Sequence, residues 1–274
     1  MDLNVIKQRL ASLNKTAPTG GNNQKKNLFW KPSIGKQTIR IVPSKFNSEF
    51  PFTEMMFYYG IGQRVIASPL NWKEKDPIVE FAKQLRQTND KENWRIAKKL
   101  DPKTRIFAPV IVRGEEEEGV KLWQFGKEVY QSFLNMAADE EIGDYTDILE
   151  GRDIKLTTVG PEVTGTPYNK TTIGPSMKVT PLADDKDTIE KFMGDQADPF
   201  KIFKRYQFDE IKGFLQNWLD PDSDSVENTS TKTPSSIPPP PSQTNYTLDT
   251  GAKKTNVDKF NDLFGENEKN DLPF

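Results

Sequence analysis

The sequence predicts a mainly β protein with added helices, a β+α body set between two polar ends. Three observations carry this prediction. Short apolar or alternating segments end at Gly, Pro or acidic turns between residues 37 and 180. Stretches with apolar residues at helical spacing fall between them, and two of these open on Asp-Pro. Outside residues 28–220 the composition shifts to Lys, Gly, Ser, Thr, Pro, Asn and acid.

The elements follow in order. Residues 37–42 alternate and stop at Pro43; residues 54–59 stop at Gly60. Residues 105–112 run into the acidic turn 113–119, and residues 120–125 follow, so these two form a hairpin. Residues 153–159 and 176–180 form a second pair around a loop rich in Gly, Pro and Thr. Asp76-Pro77 supplies an N-cap and a first helical residue, after which Ile78, Phe81, Ala82 and Leu85 mark one face. Residues 91–100 read as a short basic helix containing Trp94. Residues 127–138 carry Val129, Phe133 and Met136 on one side. Asp198-Pro199 starts another helix, and Ile211, Phe214, Leu215 and Trp218 give an i, i+3, i+4, i+7 stripe. These stripes are read as core.

Four segments result: a basic arm at 1–27, a body at 28–220, a Ser/Thr/Pro-rich linker at 221–255 and an acidic tail at 256–274 that is expected to be disordered. Leu3, Ile6, Leu10 and Leu13 allow a short amphipathic helix in the arm. Pro238 to Pro241 lie in a row, so the linker is read as partly extended polyproline II. The net charge of −2 conceals opposite ends. Up to Lys45 only Asp2 opposes nine cations, whereas in the tail Asp258, Asp262, Glu266, Glu268 and Asp271 outnumber Lys259 and Lys269. A basic front with an acidic end points to a polyanion partner and a tail that competes for the same surface. The terminal Asp271, Leu272, Pro273 and Phe274 place apolar groups on a negative segment, which suits a partner pocket that is apolar with a basic rim.

Composition removes whole classes of chemistry. The chain has no Cys and no His. Disulfides, thiol catalysis, a His general base and every zinc site built on those ligands are therefore excluded. No phosphate-cradling P-loop or dinucleotide Gly fingerprint is present, and no nucleophile stands beside a base. The acids at 115–118 read as a solvated turn. The chain is expected to be no enzyme and to need no cofactor or metal. A nuclease working through carboxylate-held Mg²⁺ would revive catalysis, but no motif favours it. No run of about 18 apolar residues exists, so no membrane helix is expected, and the N-terminus lacks a secretory apolar segment.

Single-stranded nucleic acid is bound by a positive groove along the phosphates, with aromatics on which bases stack. From Lys83 to Phe107 the chain is basic and contains Trp94, Lys98, Lys99, Lys103, Arg105 and Phe107. Arg40 lies in the first strand. Phe57, Tyr58 and Tyr59 occupy successive strand positions, so one must face outward. Phe57, Tyr59 and Phe125 are assigned to the core, which leaves Tyr58 for the surface. Trp72, in a polar loop, and Trp123, in the strand paired with that of Phe107, are assigned to the surface as well. Neither phosphate contacts nor stacking reads sequence, so binding should be general. A scaffold or recombination adaptor whose basic face holds acidic proteins is the alternative.

The run Thr38-Ile39-Arg40-Ile41-Val42-Pro43-Ser44-Lys45, the segment from Lys98-Lys99 to Val112, and Lys121-Leu122-Trp123-Gln124-Phe125-Gly126-Lys127 resemble the single-stranded DNA-binding proteins of T4-like bacteriophages. The resemblance spans about residues 28–220 and extends to the order of arm, body, linker and tail. It implies an OB-fold barrel with an inserted helical subdomain. It also implies cooperative coating of single-stranded DNA in phage replication, recombination and repair, inside the infected bacterial host. Arg40 falls on a DNA-contacting arginine, Lys103 and Arg105 on a phosphate-contacting run, and Trp123 on a stacking aromatic. Lys7, Arg9 and Ser12 stand where the family's arm meets the neighbouring copy, so the chain itself is an expected partner. The tail tip resembles the acidic end of bacterial single-stranded DNA-binding proteins, which recruits repair and replication enzymes. One departure is clear. The family's zinc insertion falls near residues 68–81, and this chain has none of its Cys or His ligands. Ile78, Phe81 and Leu85 are expected to hold that region by apolar packing instead.

Overall fold

The computed structural model describes residues 28–47, 49–62, 65–220 and 255–264. Among them are eight strands: β1 (Phe29–Trp30), β2 (Gly35–Ile41), β3 (Thr53–Tyr58), β4 (Ile66–Ala67), β5 (Lys103–Val112), β6 (Lys121–Phe125), β7 (Arg152–Val159) and β8 (Lys170–Val179). Eight α-helices accompany them: α1 (Pro77–Gln87), α2 (Lys91–Lys99), α3 (Lys127–Ala137), α4 (Pro161–Thr164), α5 (Lys186–Gly194), α6 (Pro199–Ile202), α7 (Phe208–Leu219) and α8 (Asn256–Phe264). The class is β+α, with mixed strand pairing. The chain divides into two units, one from residues up to 53 and 106–198, the other from 54–105 and residues beyond 198. Residues 54–105 of the second unit thus interrupt the chain of the first, which resumes at 106 and ends at 198.

In the first unit the strand order is β1-β6-β5-β2-β7-β8, with β1 parallel to β6 and the other neighbours antiparallel. The apolar run of β5 is buried on both faces, as such runs predict. On one face Ile106, Ala108 and Val110 join Ile39, Ile41, Trp123, Phe125, Phe133 and Ile154 in the main core. On the other, Ile111 joins Val42, Leu182 and Phe192. Each fully buried large apolar side chain contributes about 1.5–3 kcal/mol. Helix α5, absent from the sequence reading, brings Phe192 to that second cluster.

The second unit is helical around the β3–β4 hairpin. Ile78, Phe81, Ala82 and Leu85 of α1 pack with Ile211 and Leu215 of α7 and with Tyr58, Ile66 and Leu100. The region that departs from the family's zinc pattern is therefore held by the apolar packing the sequence predicts. A buried polar knot adds to it. The Asp76 carboxylate caps the first N–H groups of α1 at 3.0 and 3.4 Å. It also accepts from the Tyr58 hydroxyl at 2.7 Å and the Ser68 hydroxyl at 2.5 Å.

The acidic tail requires a correction. Its first residues are the helix α8, and Phe260 is 2 % exposed in the core of the second unit. Thr255 caps that helix reciprocally: its hydroxyl accepts from the Asp258 N–H at 3.1 Å, and the Asp258 carboxylate accepts from the Thr255 N–H at 2.8 Å. Thr255 thus belongs to the helix start rather than to the linker. The arm at 1–27 and the remainder of the linker and tail lie outside the described residues.

Candidate nucleic-acid interface

Burial sorts the residues expected to touch DNA into two sets. Four of them are buried. Arg40 has no exposed surface. Its guanidinium donates to the Asp147 carbonyl at 2.7 Å and the Thr180 carbonyl at 2.9 Å, and lies 3.6 Å from the Asp153 carboxylate. Burial lowers its pKa, and the Asp153 charge opposes that shift. Gly151 lies so close that a Cβ there would overlap the guanidinium. A side chain so enclosed offers nothing to a phosphate. Alternation in residues 37–42 predicts one outward face for β2, but segments from 145 to 183 cover it, and no local pattern announces so distant a cover.

Trp123 is 2 % exposed and sits edge-on to Trp30, 5.5 Å between centroids, in the main core, and its edge lines the cleft described below. Phe107 is wholly buried. Tyr58 is 1 % exposed, and burial beside the Asp76 carboxylate raises its hydroxyl pKa. Its neighbour Tyr59, assigned to the core from sequence, is 41 % exposed. The Asp76 knot explains this reversal, because it covers the Tyr58 side of β3.

The other set stays at the surface of the second unit. Trp94 is 52 % exposed on α2, and the Lys98 ammonium stands 5.4 Å from its ring centroid. Lys98, Lys99 and Lys103 are exposed. Arg105 donates to the Tyr59 hydroxyl at 3.2 Å, with its guanidinium 5.4 Å from that ring. Both pairs have cation–π geometry. Trp72 is half-buried, 6.4 Å from Phe200. Asp90 caps α2 through the Glu92 and Asn93 N–H groups, which sets Trp94 and Lys98 one turn apart on the same face.

The first unit holds a surface the sequence reading missed. A cleft of about 630 Å³ is lined by Lys31, Lys127, Lys170, Tyr168, Asn169 and hydroxyls of Thr158, Thr166 and Thr171. Tyr168 is 76 % exposed. Thr158 and Thr171 face one another across β7 and β8, their hydroxyls 2.9 Å apart. Three lysines outnumber the one acid of the lining, Glu128, and with the open ring of Tyr168 they match the chemistry of a phosphodiester strand. Two signals hint at it in sequence: the lone Tyr168 in a Gly/Pro/Thr loop, and Lys170 two residues later.

Among the described residues no group of three or more acidic side chains could hold an ion. The residues do not fit the family's zinc, since Cys and His are lacking throughout. No described helix is long and apolar enough to cross a membrane.

A family model described as "gp32 DNA binding protein like" matches residues 34–218, more than half of the chain. The chain belongs to this gp32-like family. It is thereby a gp32-type single-stranded DNA-binding protein, of a family that binds DNA and is non-catalytic. The match covers both units, including Trp94, Lys98, Lys99, Lys103 and Arg105 and most of the cleft lining. No curated protein matches the chain.

Proposed function

We propose that this protein coats single-stranded DNA without regard to sequence, using two surfaces. One is the exposed set of the second unit, Trp94, Lys98 and Lys99 on α2 together with Lys103 and the Arg105–Tyr59 pair. The other is the cleft of Lys31, Lys127, Lys170 and Tyr168. The observation that carries this reading is the pairing of exposed rings with cations: Trp94 with Lys98, Tyr59 with Arg105, and Tyr168 beside Lys170. Rings stack on bases while cations hold phosphates, and neither contact selects a sequence.

The order of β2, β5, β6, β7 and β8, with α3 between β6 and β7, supports an OB-type barrel. In such barrels the second and third strands and the loop between the fourth and fifth hold the ligand. On that reading the cleft, lined by residues of β6 and of the loop carrying Tyr168, corresponds to the ligand-holding face. Coating DNA in phage replication, recombination and repair in the bacterial host, with Lys7, Arg9 and Ser12 meeting a neighbouring copy and Asp271 to Phe274 recruiting enzymes, completes the proposal.

Titration of the intrinsic Trp fluorescence with poly(dT) and with duplex DNA, at low and high salt, tests it. Saturable quenching by poly(dT) with a steep salt dependence is expected. Equal response to duplex, or none at low salt, would overturn the reading and favour a protein-binding adaptor.

A further inference from the structure

We propose that α8 braces the DNA face of the second unit, with Lys259, Asn93 and Thr88 as positioning residues that fix the first turn of α2 and so the Trp94 ring. The inference rests on the single-strand reading for what that ring does. It splits the acidic segment by role: its first helix supports binding, whatever its charge does further on.

Helix α2 has little of its own to hold it. Over its nine residues only Asn93 and Ala97 are buried. Ala97 offers one methyl, and Asn93, 5 % exposed, offers an amide. A helix this short does not persist alone in water, so its neighbours set its position. The last turn is tied to α1 and the core: Arg86 donates to the Ala97 carbonyl at 3.3 Å, and Leu100, just beyond, is wholly buried. The first turn, where Trp94 stands, turns inward through Asn93.

That amide is bound at both ends. Lys259 of α8 donates to its carbonyl at 2.9 Å. Its NH2 group donates to the Thr88 hydroxyl at 2.6 Å, and that hydroxyl donates to the Leu85 carbonyl at 2.7 Å. Chemistry fixes the direction of the chain. An ammonium can only donate, so it holds the amide oxygen towards α8 and leaves the NH2 group for Thr88. Three bonds thus run from α8 through α2 to Thr88, the C-cap of α1, and successive bonds of this kind strengthen one another. Phe260, next to Lys259 and 5.9 Å from Phe81 of α1, anchors the donor in the core. Trp94 follows Asn93 directly, so any rotation of the first turn moves its ring. A ring fixed before the strand arrives loses no freedom on binding, whereas a loose one must be ordered first, which weakens the complex.

Full-length Lys259→Met keeps the apolar stem and removes the donor. Affinity for labelled oligo(dT) is measured by anisotropy across a range of salt, and amide exchange of residues 91–99 is measured on the free protein. Affinity should fall about two- to tenfold at every salt concentration, the worth of one hydrogen bond, with the log–log slope unchanged. Exchange in residues 91–99 should quicken. The fall should vanish when Trp94→Ala is already present. Thr88→Val, which leaves α8 untouched, should reproduce the loss, and Thr88→Ser should restore affinity. A slope smaller by about 0.7 would make Lys259 a phosphate contact instead, and an equal fall beside Trp94→Ala would place its effect elsewhere; either overturns the brace. Unchanged affinity or unchanged exchange in Lys259→Met would overturn it too. If the wild-type protein fails to bind, or Trp94→Ala alone leaves affinity intact, the single-strand reading of this face fails instead. Exchange alone then decides: quickening in both Lys259→Met and Thr88→Val sustains the brace of α2, and its absence in either refutes it.

Discussion

The two units treat their aromatic and cationic residues in opposite ways. In the first, Arg40, Phe107 and Trp123 are enclosed by the frame, and the accessible chemistry lies in lysines, threonines and a loop tyrosine. In the second, Trp94, Lys98 and Lys99 on a short helix, with Lys103 and Tyr59, remain at the surface. A helix of one amphipathic face leaves its polar side in water, so residue spacing forecasts exposure there. A central strand has two faces, and either can be covered by chain from far away. The same residue types therefore carry different meanings in the two units.

The largest expected effect tests this contrast. Arg40→Ala leaves Asp153 with one cation fewer and strands the Asp147 and Thr180 carbonyls. Arg113 still pairs Asp153, so the cost is mainly that of the two stranded carbonyls, about 1–3 kcal/mol each. Urea unfolding of the variant should show a loss of that order in the first unit. The DNA affinity of the remaining folded protein should stay unchanged. A selective fall in affinity with stability intact would restore Arg40 to the interface.

Trp94 and Trp123 form the next comparison. Trp94→Ala should weaken poly(dT) binding by about 1–3 kcal/mol, the contribution of one stacked base, and remove most of the quenching. Trp123→Phe keeps a ring in the core and should leave affinity nearly unchanged. Reversal of these two results in a fluorescence or anisotropy titration would place the stacking face on β6 instead of α2.

Much of this arrangement is readable in the chain. The Asp76-Pro77 start of α1 and the stripe of α7 are plain because caps and period 3.6 are local. The hairpin of β5 and β6 is plain for the same reason. The helix α8 is also within reach: Thr255 and Asp258 stand at capping-box spacing, with Phe260 and Phe264 after them. The acidic charge of the segment obscured it, because acids on the outer face of a docked helix look like acids on a free tail. The burial of Arg40 and Tyr58 was not readable. It depends on Thr180, Asp147 and Asp76, which no spacing rule connects to residues 40 and 58. The cleft depends likewise on Lys31, Lys127 and Lys170 meeting through sheet topology alone.

Salt dependence separates the contributions of the two surfaces. Each phosphate contact on a single strand adds roughly 0.7 to the log–log slope of affinity against salt. Lys98→Ala with Lys99→Ala should therefore flatten the slope by about 1.4, and the triple change of Lys31, Lys127 and Lys170 to Ala by about 2.1. If one set leaves the slope untouched, the strand runs over the other unit alone.

The smallest effect probes the frame beneath the second surface. Tyr58→Phe removes one hydrogen bond to the buried Asp76 carboxylate and leaves Ser68 and the two N–H groups of α1 in place. A net loss of about 1 kcal/mol in stability is expected, since the remaining donors still satisfy the charge. Because Tyr58 is enclosed while Tyr59 is open, the variant should keep its poly(dT) affinity, whereas Tyr59→Ala should lose a stacking partner of Arg105 and bind more weakly. Measuring both by the same titration decides which of two adjacent tyrosines meets the strand. Equal losses would mean that β3 opens on binding and that the Asp76 knot is a movable part of the interface.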